Sequence, residues 1–242
     1  MVEARDGPHT SRILVDNGFN LRQLGQRLQR VGLEVGSLDA VFVTHEHSDH
    51  VGGVATLVRR HGVPVYCTDG TAYASRFDAG RIEWRRVEAG QPVEIGILRV
   101  EPYAVPHDAA EPVQYTFSDG SRRAGLLTDA GECSATILAA LSSLHALVLE
   151  CNHDAQMLQR GAYPPFLKAR IAGDRGHLSN AQAADILDRI DRTRLGWIAA
   201  AHLSRSNNRP DLARHALASV LDCTAEEIGV ADQDVGLDWR SV

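Results

Sequence analysis

Six consecutive residues, His45-Glu46-His47-Ser48-Asp49-His50, carry three imidazoles and two carboxylates. His45 and His47 are two apart, so in an extended or turn-like segment their rings can point the same way. Asp49 and His50 follow in the turn into a helix, where their side chains can diverge toward a second centre. Imidazole and carboxylate donors without thiolate suit a catalytic zinc, manganese or iron ion and disfavour a structural zinc site. Cys67, Cys133, Cys151 and Cys223 are far apart and form no Cys-x-x-Cys pair, so they are expected to be free thiols.

The donors need rigid elements to hold them. Ala40 to Thr44 is a continuous apolar run, expected to be a buried strand that ends at His45, with a helix from Val51 to Arg60 after the donor string. Arg12 to Asp16 predicts a first strand. Asn20 predicts the cap of a helix whose apolar positions are Leu21, Leu24, Leu28 and Val31. Val63 to Cys67 resumes the sheet, and the Gly- and Pro-broken runs from Ile82 to Tyr115 read as antiparallel hairpins. Further strands are expected at Ala124 to Asp129, Ala146 to Glu150 and Trp197 to Ala201. Helices are expected at Ser179 to Ile190, opened by a capping box, and at Asp211 to Leu221. This alternation is an α/β pattern without repeats or linkers, and it predicts one domain over residues 1–242. His107 follows a strand, Asp129 ends another and His202 ends a third. They join the first string at the type of position where α/β architectures place their sites.

Composition bounds the class. The chain has 242 residues, 25 basic and 31 acidic side chains, a formal charge of −6 and 11 histidines. Its 44% hydrophobic and 23% charged content is that of a globular protein and excludes a disordered or fibrous chain. No apolar run reaches the roughly 18 residues of a membrane helix. The polar start lacks the pattern of a secretory signal, which predicts a cytoplasmic protein. The negative balance argues against coating nucleic acid through bulk positive charge.

The string His45-x-His47-x-Asp49-His50, with His107, Asp129 and His202, resembles that of the metallo-β-lactamase fold. Further stretches resemble the YycJ/WalJ-like metallohydrolases, a group of metal-dependent 5′→3′ exonucleases. They include Leu14-Val15-Asp16, Asn152-His153-Asp154, Gly161-Ala162-Tyr163-Pro164, Leu167-Lys168-Ala169-Arg170-Ile171 and Gly176-His177-Leu178-Ser179-Asn180. The resemblance runs from about residue 13 to about residue 208. It implies an αββα sandwich of two mixed sheets flanked by helices. Members usually have a strand and a Gly/Ser-rich segment before Leu14; here a short Gly7-Pro8-His9 stretch precedes, and either the start is set downstream or the first strand is abbreviated.

The resemblance also implies two divalent ions, zinc or manganese with iron as a third choice. His45, His47 and His107 would hold one, Asp49, His50 and His202 the other, and Asp129 would bridge them. Such a pair can share a hydroxide and clamp the attacking and leaving oxygens of a phosphodiester. Asp16 is either a group orienting a ligand histidine or a turn residue before Asn17-Gly18. Asp49, His177 and His153 are the candidate catalytic residues. His177 could neutralise a phosphate oxygen or protonate the leaving group near the helix start at Ser179 and Asn180, or simply be bonded in a loop. His153 could line the site or cap the next helical turn. Lys168, Arg170 and Arg175 could form an anion-binding rim for substrate, with Ser179 and Asn180, or an ordinary solvated face. The expected activity is phosphodiester hydrolysis, with DNA cut 5′→3′ as the leading reading. A small or cyclic-nucleotide phosphodiesterase, a thioester or β-lactam hydrolase and a non-catalytic regulatory protein are the alternatives.

Overall fold

Residues 10–13 alternate between half-buried and buried positions, as a strand with one covered face must. In the computed structural model, which describes all 242 residues, the chain is a mixed α/β structure with two mixed sheets flanked by helices. It divides into two units: residues 1–104 with 109–121, and residues 105–108 with 122–242.

In the first unit, β1 (Val2–Asp6) and β2 (His9–Val15) form an antiparallel hairpin, Asp6 facing His9. Gly7 takes the left-handed conformation (φ 54°) that its tight turn requires. A strand thus precedes Leu14-Val15-Asp16 in the hairpin. Val2–Asp6 alternates apolar and charged residues, a weak signal on its own that becomes a strand once β2 is beside it. Next to β2 run β3 (Ala40–Phe42), β4 (Val65–Cys67) and β5 (Trp84–Arg86), all parallel, in the order β1-β2-β3-β4-β5. Every residue of β3 and β4 is buried, as expected for parallel strands covered on both faces.

Helix α1 (Leu21–Arg30) is capped by Asn20, whose side chain accepts from Gln23 N while Gln23 reaches back to the cap. Its buried Leu24 and Leu28 pack with Leu14, Val41, Val54 and Leu57 in this unit's core. The single helix expected over 51–60 is in fact two, α2 (Ser48–Val51) and α3 (Val54–His61). The break lies at Gly52-Gly53. A Cβ on Gly53 would collide with the Phe19 carbonyl, and one on Gly18 with the Asp49 carbonyl. The two segments approach backbone to backbone, with Asn17 N on His50 O (2.7 Å) and Gly53 N on Asn17 O (2.8 Å). A short helix α4 (Asp69–Ala74), capped by Thr68, was not signalled by the sequence. Strands β6 (Val93–Ile95), β7 (Leu98–Ala104) and β8 (Val113–Ser118) form the antiparallel meander expected of this region, whereas Trp84–Arg86 pairs parallel with β4 instead.

In the second unit, β9 (Arg123–Leu127), β10 (Ala146–Glu150), β11 (Trp197–Ala201) and β12 (Gly229–Val230) are parallel neighbours in that order. Helix α5 (Ala135–Leu141) connects β9 to β10. Helices α6 (Ala155–Arg160), α7 (Pro165–Ile171) and α8 (Asn180–Arg189) connect β10 to β11, and α9 (Pro210–Leu221) precedes β12. The capping box predicted at Ser179 is present, with Gln182 as its second member. All four cysteines are free thiols, and burial pushes the Cys67 thiol up to about 12, far from a nucleophile's range. No helix is long and apolar enough to cross a membrane.

Candidate metal centre

In the first unit the donors sit where β2 and β3 end. Asp16 follows β2 in the left-handed conformation (φ 57°), which an aspartate tolerates better than a branched residue. Its Oδ1 accepts from Thr44 N (2.8 Å) and its Oδ2 from the Thr44 hydroxyl (2.8 Å). The same Oδ2 lies 2.8 Å from His50 Nδ1, and Thr44 Oγ1 lies 3.0 Å from His45 Nδ1. One carboxylate thus contacts a threonine and an imidazole directly, and through the threonine a second imidazole.

The end of β3 is braced by Tyr115. Its hydroxyl donates to Val43 O at 2.7 Å and its ring meets Phe42 edge-on, with centroids 5.3 Å apart. Burial pushes the Tyr115 phenol well up, which keeps it a proton donor. The rings of His45, His47 and His50 lie together, His45 being 4.5 Å from His47 and 4.1 Å from His50 between centroids. Asp49 is mostly exposed, and its Oδ2 is 3.5 Å from His50 Nε2.

The second unit holds the other donors at three strand ends. Asp129 lies beyond β9 and His202 beyond β11, again both left-handed (φ 52° and 56°). Asp129 Oδ1 is 3.8 Å from His107 Nε2, 3.7 Å from His202 Nε2 and 3.6 Å from His177 Nδ1. His107 is buried, and its Nδ1 bonds Gly176 O at 3.0 Å. Burial holds its basicity down, against the pull of Asp129, so it favours the neutral form that can donate a lone pair.

Glu150, which ends β10, was missed by the sequence reading as a site residue. It is fully buried, and its Oε1 lies 2.9 Å from His177 Nδ1 and 2.8 Å from His202 Nδ1. Its Oε2 accepts from Ala130 N and Leu178 N. Burial alone would raise this carboxyl, but the bonds to His177 and His202 outweigh it and hold it far below the usual range. His177 is raised in turn: burial opposes charging it, and Glu150 favours it more. The available signal for Glu150 was its place, a charge closing an apolar strand, as Asp129 and His202 do.

The other predicted residues fare differently. His177 joins Asp129, Glu150 and His202, whose donor atoms all lie within 4.8 Å of one another. His153 does not join them. Its side chain is buried, with only 2% of the residue exposed, its carbonyl takes Asn180 N, and the cap of α6 is Asp154 rather than His153. Ser179 carries its capping box, and Asn180 exchanges amide bonds with Asn208 at 2.8–2.9 Å; both are buried. Lys168 donates to Gln159 O, Arg170 pairs with Asp108, and Arg175 is exposed.

The donor chemistry fits divalent ions. In His45, His50, His107 and His202 an acceptor beside Nδ1 places the hydrogen there and makes Nε2 the lone-pair nitrogen. In His50, His107 and His202 that nitrogen faces a carboxylate oxygen at 3.5–3.8 Å. Two acceptors at such a distance repel unless a cation lies with them.

Residues 11–198 match the family described as "Beta-lactamase superfamily domain". The chain is 34% identical over 228 residues to exodeoxyribonuclease YycJ of Bacillus anthracis, covering 93% of this chain and 86% of that protein. It is 32% identical over 234 residues to exodeoxyribonuclease WalJ of Streptococcus pneumoniae, covering 95% and 84%. Among solved structures, the metallo-β-lactamase fold protein YhfI of Bacillus subtilis superposes with a TM-score of 0.71 at 20% identity, over 98% of this chain and 90% of that one.

Proposed function

The chain belongs to the β-lactamase superfamily, and from that premise we propose that it is a divalent-metal-dependent 5′→3′ DNA exonuclease of the cytoplasm. The observation that carries the reading is the set of imidazoles locked through Nδ1 with Nε2 turned to a carboxylate, in a chain whose relatives over most of its length are exodeoxyribonucleases. We assign His45, His47 and His107 to one zinc or manganese ion, Asp49, His50 and His202 to a second, and Asp129 to both. When bound, the ions would supply an activated water and neutralise charge on the phosphodiester.

The protein's own groups do the rest. Asp16 and Thr44 orient His50 and His45, and Gly176 O orients His107. Glu150 fixes His202 and His177 together. Because Glu150 occupies Nδ1 of His177, the leaving oxygen would take its proton from His177 Nε2. Asp49 contributes negative charge at the exposed edge of the first cluster and would serve as a ligand.

The reading is tested by incubating the metal-loaded protein with DNA labelled at either end, single-stranded and duplex. Stepwise loss of nucleotides from the 5′ end is expected. Intact DNA alongside rapid hydrolysis of bis(4-nitrophenyl) phosphate would replace it with a small-molecule phosphodiesterase.

A further inference from the structure

His202 lies just beyond β11 with φ at 56°, a left-handed conformation that a residue with a Cβ keeps only where its surroundings enforce it. Glu150 Oε1, 2.8 Å from His202 Nδ1, fixes the ring and leaves the backbone of the turn to other groups. Asn152 supplies them. Its Nδ2 donates to His202 O at 3.0 Å, and its carbonyl takes Ser204 N at 2.8 Å, so one residue grips the turn at both ends. Its own N donates to Leu178 O at 2.9 Å, directly after His177.

The sequence accounts for this reach. Asn152 stands two residues beyond Glu150, and the chain stays extended between them and onward, with Cys151 N on Ala201 O at 2.9 Å and His153 bridging Ser179. Side chains two apart in an extended chain face the same way, so Glu150 takes the imidazole of His202 and Asn152 its carbonyl. A carbonyl only accepts, so the group facing it must be an amide NH2; an aspartate of the same shape would set oxygen against oxygen. The next carbonyl, Leu203 O, takes Gln233 Nε2 at 2.9 Å, but Gln233 is exposed and water can replace it, whereas Asn152 is half-buried.

We propose that Asn152 is a positioning residue for His202: its amide holds the left-handed turn so that the imidazole fixed by Glu150 meets the ion assigned to it. The inference rests on the metal reading above and extends it from the donors to the backbone that carries one of them.

The test compares full-length Asn152→Ala, which keeps the backbone bonds to Leu178 and Ser204, with Ile186→Val, a truncation of a fully buried side chain on α8. Hydrogen exchange read by mass spectrometry, on protein as purified and after chelation, reports the turn itself. A peptide spanning Leu203 and Ser204 exchanges about 3- to 10-fold faster in Asn152→Ala, the effect of one ordinary hydrogen bond, and near the wild-type rate in Ile186→Val. Zinc titration against a chromophoric chelator reports the consequence: Asn152→Ala binds one of two ions about 3- to 10-fold more weakly and the other as wild type does. Asn152→Asp, which keeps the shape should the alanine variant not fold, also binds zinc more weakly than wild type, although its added charge alone would tighten a cation. Wild-type exchange of the turn in Asn152→Ala overturns the proposal, as does equal acceleration in Ile186→Val. Faster exchange with both zinc affinities unchanged overturns it too, as does tighter zinc binding by Asn152→Asp. Wild-type protein that binds no zinc, with the turn loosened in Asn152→Ala, overturns the metal reading and not the hold of Asn152 on the turn.

Discussion

Asp16 Oδ2 lies 2.8 Å from His50 Nδ1, and the same oxygen accepts the hydroxyl of Thr44, which in turn adjoins His45. A single carboxylate held in a left-handed turn therefore fixes the tautomer and direction of two imidazoles. Glu150 does the same for His177 and His202. Each unit thus has one carboxylate in contact with histidine Nδ1 atoms.

Asp16→Asn keeps a side chain that tolerates φ near 57° but cannot accept with the same charge from both Thr44 and His50. Metal affinity is expected to fall about 10- to 100-fold, the usual effect of removing such a support. Competition with a chromophoric chelator reads the affinity directly, and an unchanged value would assign Asp16 to the turn alone.

Glu150→Ala removes the acceptor of four donors in a fully buried place. It leaves two imidazoles and two backbone amides without their partner, at a cost of about 3–5 kcal/mol. Urea unfolding of the metal-free protein checks this, separating the loss from any effect on metal affinity. A loss below about 1 kcal/mol would show that water takes over the four donors.

Gly53→Ala puts a Cβ into the Phe19 carbonyl, so the backbone between α2 and α3 must shift. Overpacking of this kind costs about 1–3 kcal/mol. The shift also moves Gly53 N away from Asn17 O, and Asn17 N holds His50 O, so metal affinity drops along with the melting temperature. Wild-type affinity in a destabilised variant would separate the glycine's packing role from its effect on His50.

Much of this site was legible because its residues close apolar strands. His45, Asp129 and His202 each follow a run whose burial the sequence announces, so the chemistry reads directly off the strand ends. What escaped depends on tertiary approach. Gly52-Gly53 looks compatible with one continuous helix until the Phe19 loop presses against it, and Val2–Asp6 is too polar to read as a strand without β2 alongside. Asn180 has the residue type and helix-start position of an anion contact, and only its pairing with Asn208 shows that its amide is used inside the protein. Glu150 presented the reverse problem, a charge whose importance lies in how completely it is buried.

Chelation gives the broadest test. Without an ion, Asp129 Oδ1 faces Nε2 of both His107 and His202, and Asp49 faces Nε2 of His50, so like-natured acceptors confront one another in each unit. Cations that bind the folded chain relieve this and stabilise it by mass action, about 4 kcal/mol when present at 1,000 times their dissociation constant. For a chain of this size that corresponds to roughly 8–16 °C in Tm. Adding a chelator to the loaded protein should therefore lower the melting temperature by that order, and zinc or manganese should restore it. Asp129→Ala should show a smaller difference in melting temperature with and without metal, because the carboxylate facing two imidazoles is gone while Asp49 still faces His50. A chelator response as large in Asp129→Ala as in the wild type would place the stabilising ion on other donors.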